Sequence, residues 1–173
     1  MLKMMSHDLL TLFSFCLLVD SSKCVEVACS NDTNVNAVCE CTERTRTVNC
    51  TNRGLNEWPV GIPVNKKFLY LSDNNLNKID TNALLELQEL ISINLANNSL
   101  TSLPEFPKTI YSINIDHNRI SILKNTTFQG SNLVNHLHIS SNPIHGIEPF
   151  TFVNVQLNLL LCTVYLLINV IVQ

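Results

Sequence analysis

The chain has few charged residues and few glycines for its 173 residues. Charged residues make up 14% of it and the formal net charge is −3, so no basic surface is available to hold a nucleic-acid backbone. Its four glycines form no phosphate-binding loop, and the sequence contains neither a G-x-S-x-G nor an H-E-x-x-H motif. These absences argue against nucleic-acid binding and against an enzyme, and no cofactor or metal is predicted.

Apolar residues are concentrated at the two ends of the chain. The run from Leu9 to Val19 follows Lys3 and has the length of a signal-peptide core, which is too short to span a bilayer comfortably. Residues 1–21 are therefore predicted to be a secretion signal, with cleavage near Ser22. The alternative, a buried helix, is disfavoured because the run opens the chain and a cysteine cluster follows it.

The second apolar segment, residues 155–173, has three interpretations. From Val155 to Val172 it carries no charge and approaches the minimum length of a membrane span. It is the removable signal of a lipid anchor, a membrane span, or the end of a truncated or alternatively spliced repeat that packs over the open core. This tail is the one place where a membrane contact is expected.

Cysteines and glycosylation motifs point to an oxidising, extracytoplasmic compartment. Seven cysteines are present; Cys16 lies in the predicted signal, Cys162 is distant, and five fall between Cys24 and Cys50. Such crowding indicates disulfides or a metal site, and the Cys39-Glu40-Cys41 spacing differs from the C-x2-C pairs of zinc sites. Four Asn-x-Ser/Thr triplets predict N-linked glycans at Asn31, Asn49, Asn97 and Asn125.

An internal repeat dominates the middle of the chain. Four segments align at every apolar position and at one asparagine: Leu69–Leu76, Ile93–Leu100, Ile113–Ile120 and Leu137–Ile144. The aligned asparagines, Asn74, Asn98, Asn118 and Asn142, are separated by 24, 20 and 24 residues. This is the leucine-rich-repeat pattern, so we predict an α/β-class solenoid with a parallel concave sheet, a stacked asparagine ladder and irregular or short helical convex returns.

The segment before the repeats resembles a known cap. Cys29-x9-Cys39-x-Cys41-x8-Cys50, followed by Trp58-Pro59 and Ile62-Pro63, is similar to the N-terminal cysteine cap of extracellular leucine-rich-repeat proteins, which include small leucine-rich proteoglycans, Slit-like proteins and adhesion receptors. The resemblance implies Cys29–Cys41 and Cys39–Cys50 disulfides, although the long spacing after Cys29 is unusual and Cys24 could replace it. It assigns residues 22–65 to the cap and 66–154 to four repeats plus the start of a fifth.

Function is expected on the concave strand face, the usual binding surface of solenoids. An extracellular protein is the expected partner, in a receptor, adhesion or signalling role; a proteoglycan-like matrix component and a truncated isoform without independent binding are the alternatives. Three histidines on adjacent coils could bind a metal or sense pH, but solvated histidines are the simpler explanation. The candidate binding residues are Phe68, Tyr70, Asn94, Asn114, Asp116, His117, His136 and His138.

Overall fold

The computed structural model describes residues 28–29, 37–153 and 155, together with the backbone of Leu159–Leu161. The predicted signal peptide, Cys24, Asn31, Cys162 and most of the predicted tail lie outside these residues. Within the part described, no helix is long and apolar enough to cross a membrane.

The elements of the described residues are β1 (Glu40–Thr42), β2 (Thr47–Asn49), β3 (Phe68–Tyr70), α1 (Thr81–Leu85), β4 (Ser92–Asn94), β5 (Ser112–Asn114), β6 (Ile122–Leu123), β7 (His136–His138), β8 (Gly146–Ile147) and β9 (Leu159–Leu161). Seven of these short strands form one sheet in the order β1-β2-β3-β4-β5-β7-β9, and a second sheet pairs β6 with β8. Strand β1 is antiparallel to β2, and every other pair is parallel.

Successive coils bury equivalent apolar residues because a strand directs alternate side chains to opposite faces. In each three-residue strand of the repeats the central side chain points inward, and the residue just after the strand points inward again. The strands pair in one register, so these residues stack coil upon coil. The buried files are Val48, Leu69, Ile93, Ile113 and Leu137, and then Cys50, Leu71, Leu95, Ile115 and Ile139. This architecture confirms the predicted solenoid.

The convex returns differ from coil to coil. The first contains α1, whose N-cap Asp80 accepts hydrogen bonds from the backbone N–H groups of Asn82 and Ala83. The second, which carries Pro104 and Pro107, contains no helix or strand and ends in a turn, and prolines disfavour a helix there. The third and fourth pair through β6 and β8 into a second parallel sheet that the sequence did not predict.

Phenylalanines form a column beneath these returns. The ring centroids of Phe106 and Phe128 are 6.2 Å apart, and those of Phe128 and Phe152 are 5.6 Å apart. The rings are close to parallel, with interplanar angles of 9° and 20°. This phenylalanine column spans three consecutive returns and fills the side of the core opposite the sheet.

The N-terminal end of the core is closed by a hairpin and two disulfides. Cys29 is bonded to Cys41 and Cys39 to Cys50, and Trp58 packs on the core in the return that follows. The hairpin does more than cover the end, because its second strand, β2, pairs in parallel with β3 and so begins the concave sheet. The cap therefore contributes the first coil of the solenoid.

Charged side chains hold the turn of this hairpin against the following coil. Lys66, whose side chain is fully buried, donates a hydrogen bond to the exposed carboxylate of Glu43. Arg46 donates to the carbonyl oxygen of Asn65 at 2.6 Å and forms an ion pair with Glu89 at 2.6 Å. A buried ammonium needs such a partner, because an unpaired charge in the core is costly.

Candidate binding face

The ladder asparagines Asn74, Asn98, Asn118 and Asn142 are buried, and each bonds its own coil and the one before it. The Nδ2 of Asn98, for example, donates to the carbonyl oxygens of Leu95 in its own coil and of Leu71 in the preceding coil, at 3.1 and 2.9 Å. Its Oδ1 accepts from the backbone N–H of Leu76 at 3.0 Å. Among the described residues no buried side-chain nitrogen or oxygen lacks a partner.

The direction of these bonds explains how the ladder begins. Asn74 accepts from the N–H of Leu55 and donates to the carbonyl oxygen of Cys50, so it fastens the cap to the first repeat. By strand register, the ladder position of the cap coil is occupied by Arg53. No asparagine is needed there, since each ladder amide satisfies the coil behind it.

A left-handed residue precedes every ladder position. The φ angles of Asp73, Asn97, His117 and Ser141 lie between 54° and 59°, and Asn52 in the cap has φ 54°. Most side chains avoid this region, and Asn and Asp tolerate it best. The backbone N–H of each of the first three donates to the next coil, as from Asp73 to the carbonyl oxygen of Ala96 at 3.0 Å. His117 is therefore held at the rim of the face by a tight turn.

Parallel register arranges the outward side chains of the concave sheet in rows. One row holds the first residue of each strand and another the third, and a further row holds the second residue after each strand. The rows are Thr47, Phe68, Ser92, Ser112 and His136; Asn49, Tyr70, Asn94, Asn114 and His138; and Thr51, Ser72, Ala96, Asp116 and Ser140. All eight predicted face residues lie on these rows or, in the case of His117, on the adjoining rim.

A second set of asparagines lies on this face and differs from the buried ladder. Asn49, Asn94 and Asn114 each accept, through Oδ1, a hydrogen bond from the backbone N–H two residues further on, at 3.0 to 3.1 Å. These bonds fix the backbone where each strand ends. The sequence pattern did not reveal this role, because only the buried asparagines belong to the repeat signature.

The two ends of the face differ in chemistry. At the cap end, Tyr70 is 36% exposed and Phe68 is half-buried. At the far end, the ring of Tyr111, 43% exposed, lies 5.3 Å from that of His136. The middle carries small polar side chains. The face therefore has an aromatic end, a polar centre and a histidine-rich end.

Asp116 links the coils at the histidine-rich end. Its Oδ1 accepts from the backbone N–H of Ser140 at 2.6 Å, and its Oδ2 lies 3.9 Å from Nδ1 of His138. His136 lies in the row before this pair and His117 on the rim after it. Over the stretch that the structure describes, no three His, Cys, Asp or Glu side chains are placed to hold a metal ion together.

Three of the four predicted glycosylation sites fall on described residues. Asn49 lies on the concave face and Asn97 on its rim, where Nδ2 of Asn97 donates to Oδ1 of Asp73 at 2.9 Å. Asn125 is exposed on the convex side. It lines a groove of about 510 Å³ that also includes Phe150, which is 78% exposed and was not among the predicted site residues.

The chain is similar to several known leucine-rich-repeat proteins, although no family model matches it. Trophoblast glycoprotein of Macaca fascicularis is 33% identical over 103 residues, which cover 56% of this chain and 24% of the relative. Human oligodendrocyte-myelin glycoprotein is 33% identical over 112 residues, covering 63% and 25%. Rat leucine-rich repeat-containing protein 4 is 40% identical over 57 residues, covering 33% and 9%. The chain thus spans a quarter or less of these relatives.

Solved structures agree with this assignment. The leucine-rich-repeat domain of FLRT2, in an octameric complex with Latrophilin 3 and Unc5D, matches with a TM-score of 0.66 and 27% identity, covering 73% of this chain and 40% of that one. Human trophoblast glycoprotein matches with a TM-score of 0.56 and 27% identity, covering 66% and 44%. The chain has the leucine-rich-repeat fold and the N-terminal cysteine cap of these extracellular proteins, and its similarity to them and its disulfides indicate a secreted or cell-surface location.

Proposed function

We propose that this protein is a non-enzymatic binding module that recognises an extracellular protein through its concave face. The observation that carries the proposal is the ordered set of outward rows. Polar, aromatic and histidine side chains stand on strands whose backbone is held by the asparagine ladder and by the bonds of Asn94 and Asn114. Rigid presentation lowers the entropy cost of binding, which favours specific recognition.

The relatives support the class of function. FLRT2 is found in a complex with other extracellular proteins, and the matched relatives are cell-surface or secreted glycoproteins. Because the chain covers only part of them, their partners do not transfer to it. In our proposal the signal (residues 1–21), cap (22–65) and repeats (66–154) deliver and support the face, and the tail (155–173) decides whether it is tethered to a membrane.

The histidine-rich end is the favoured contact region. Tyr111, His136 and His138 provide aromatic surface and hydrogen-bonding groups, and Asp116 provides a carboxylate, all within two adjacent coils. Tyrosine is enriched among residues that dominate binding energy. We therefore expect Tyr111→Ala and His138→Ala to weaken partner binding by about tenfold or more, corresponding to roughly 1.4 kcal/mol or above.

An engineered glycan tests the face directly. Ala96→Thr converts Asn94-Leu95-Ala96 into an acceptor triplet and places a glycan at the centre of the concave sheet. A threonine is compatible with this position, because Ser72 and Ser140 occupy the same row. An array of purified extracellular protein domains, probed with the wild-type protein as a multivalent fusion, identifies the partner; glycosylated Ala96→Thr protein is expected to lose that binding.

Gln129→Asn is the matched control. The new asparagine forms an acceptor triplet with Gly130 and Ser131 at an exposed position of the third convex return, so it adds a glycan of the same kind on the opposite side. This variant is expected to bind as the wild type does. Loss of binding with the convex glycan, and retention with the concave one, would move the binding surface to the returns and contradict the proposal.

A further inference from the structure

Asn49 combines a glycosylation motif with a position beside an exposed aromatic ring. Its triplet is Asn49-Cys50-Thr51, and it is the register partner of Tyr70 in the next strand. Neighbouring strands are about 4.8 Å apart, so side chains of paired residues on one face are in reach of each other. The N–H of Cys50 donates to the carbonyl oxygen of Tyr70 at 2.8 Å, which fixes this pairing.

The amide of Asn49 is free to carry a sugar without loss of its structural bond. Its Oδ1 accepts from the N–H of Thr51 at 3.1 Å, whereas its Nδ2 has no hydrogen-bond partner among the described residues. Asn94 and Asn114 make the same Oδ1 bond in the same row but lack an acceptor triplet. Of these three face asparagines, only Asn49 can be modified by the N-glycosylation machinery.

We propose that Asn49 carries an N-linked glycan whose first N-acetylglucosamine packs on the Tyr70 ring and covers the aromatic end of the concave face. In the transfer, Nδ2 of Asn49 loses one hydrogen and bonds to C1 of the sugar, while the C1–O bond to the pyrophosphate of a lipid-linked oligosaccharide donor breaks. The released pyrophosphate group keeps the bonding electrons and the proton passes to the medium. The second Nδ2 hydrogen and Oδ1 remain.

Packing on Tyr70 gives this glycan a structural role. A pyranose ring presents C–H groups on one face, and an exposed aromatic ring loses contact with water when that face covers it. Phe68 lies two residues before Tyr70 on the same face and is half-buried, so the covered area continues along β3. Phe68 and Tyr70 are then the platform of the protein's own glycan, and a protein partner meets the histidine-rich end.

Peptide mass spectrometry of the protein secreted by mammalian cells tests occupancy. Enzymatic removal of glycans in heavy-oxygen water converts each glycosylated asparagine into labelled aspartate. Labelled aspartate is expected at position 49 in most molecules. Absence of the label at this position would overturn the proposal, whichever protein partner is found, because this measurement does not depend on partner binding.

NMR of the protein with its glycans trimmed to single N-acetylglucosamine residues tests the packing. The N-acetyl methyl signal that disappears in Asn49→Gln is expected to lie upfield, because the Tyr70 ring current acts on it, and to return to the free-glycan position in Tyr70→Leu. Tyr111→Leu, which removes a similarly exposed ring just before β5, is expected to leave it unchanged. An unshifted signal in the wild type, or no response to Tyr70→Leu, would contradict packing. If Asn49→Gln does not fold, Thr51→Ala removes the motif and keeps the backbone N–H that Asn49 binds.

Discussion

Asparagine has two structural roles in this protein, and burial separates them. Asn98 bonds backbone groups of two coils from inside the solenoid, whereas Asn94 bonds a single N–H from the concave surface. Removal of the buried amide leaves the N–H of Leu76 without its partner and takes one of two side-chain bonds from each of the Leu71 and Leu95 carbonyls. Removal of the surface amide takes a single bond, from the N–H of Ala96. The same residue type is therefore essential at one position and replaceable at the other.

Asn98→Ala is expected to destabilise the protein by about 2–3 kcal/mol, because the buried Leu76 N–H loses its partner and the Leu71 carbonyl keeps only one of its two side-chain bonds. Asn94→Ala is expected to cost about 1 kcal/mol or less. Urea unfolding followed by circular dichroism measures both. Equal losses for the two variants would contradict the role of the ladder.

The contact between Glu43 and Lys66 predicts that the stability of the cap depends on pH. The hydrogen bond from Lys66 holds the pKa of Glu43 below its ordinary value. A lowered folded-state pKa means that the carboxylate stabilises the folded state above the ordinary pKa of glutamate, and that this contribution is lost as the pH falls through the lowered value. Wild-type protein should therefore exceed Glu43→Gln in stability at neutral pH, and the difference should disappear in acid.

Urea midpoints measured across the acid range give this difference, and Lys66→Met provides the control. In the Lys66→Met background the buried ammonium is replaced by an apolar side chain of similar length. The pH-dependent difference that Glu43→Gln makes is therefore expected to be strongly reduced in this background. A difference that persists without Lys66 would assign the pH dependence to another interaction.

At the scale of elements, the phenylalanine column predicts a strong effect on the convex side. Phe128 lies between the rings of Phe106 and Phe152 and is buried, whereas Phe150 is 78% exposed. Phe128→Ala is expected to destabilise the protein by about 3–5 kcal/mol, and Phe128→Leu by only about 1 kcal/mol. Phe150→Ala is the matched control and should change stability by less than about 0.5 kcal/mol. Thermal unfolding compares the three, and a large effect of Phe150→Ala would contradict this account of the core.

The repeat spacing predicts strands β3, β4, β5 and β7, because each of them precedes a buried ladder asparagine by a fixed number of residues. Strands β2, β6 and β8 are not predicted in this way. Strand β2 precedes Arg53 at the ladder position, since the first coil is fastened by Asn74 from the coil that follows. Strands β6 and β8 have only two residues each, too few to show a period.

The candidate binding face is also only partly predictable from the sequence. Strand alternation and the repeat register place Tyr70, Asn94, Asn114 and His138 in one row. The bonds that distinguish them depend on three-dimensional distances, such as that between Oδ2 of Asp116 and Nδ1 of His138, 3.9 Å, between adjacent coils. A pattern of residue types shows which side chains share a face, but not which atoms meet.

At the scale of the whole molecule, stability is a sum over neighbouring coils. In a solenoid each coil contacts only those beside it, so a coil at an end loses half of its packing unless a cap replaces it. The cap of this protein supplies β2, two disulfides and the covering side chain of Trp58. It therefore protects the N-terminal coils to a degree that depends on the redox state of its cysteines.

Reduction is expected to change the order in which the coils open. Each disulfide closes a loop of roughly a dozen residues and contributes about 2–4 kcal/mol by limiting the unfolded chain. In the oxidised protein, hydrogen exchange at Leu71 and Asn52, whose N–H groups donate across the coils of the cap and first repeats, should be slow. After reduction the N–H of Asn52 should exchange faster by orders of magnitude, while that of Leu95, in the middle of the array, stays protected. Uniform acceleration at Asn52 and Leu95 would show that the solenoid opens as a single unit, and that the cap has no separate stability for the disulfides to control.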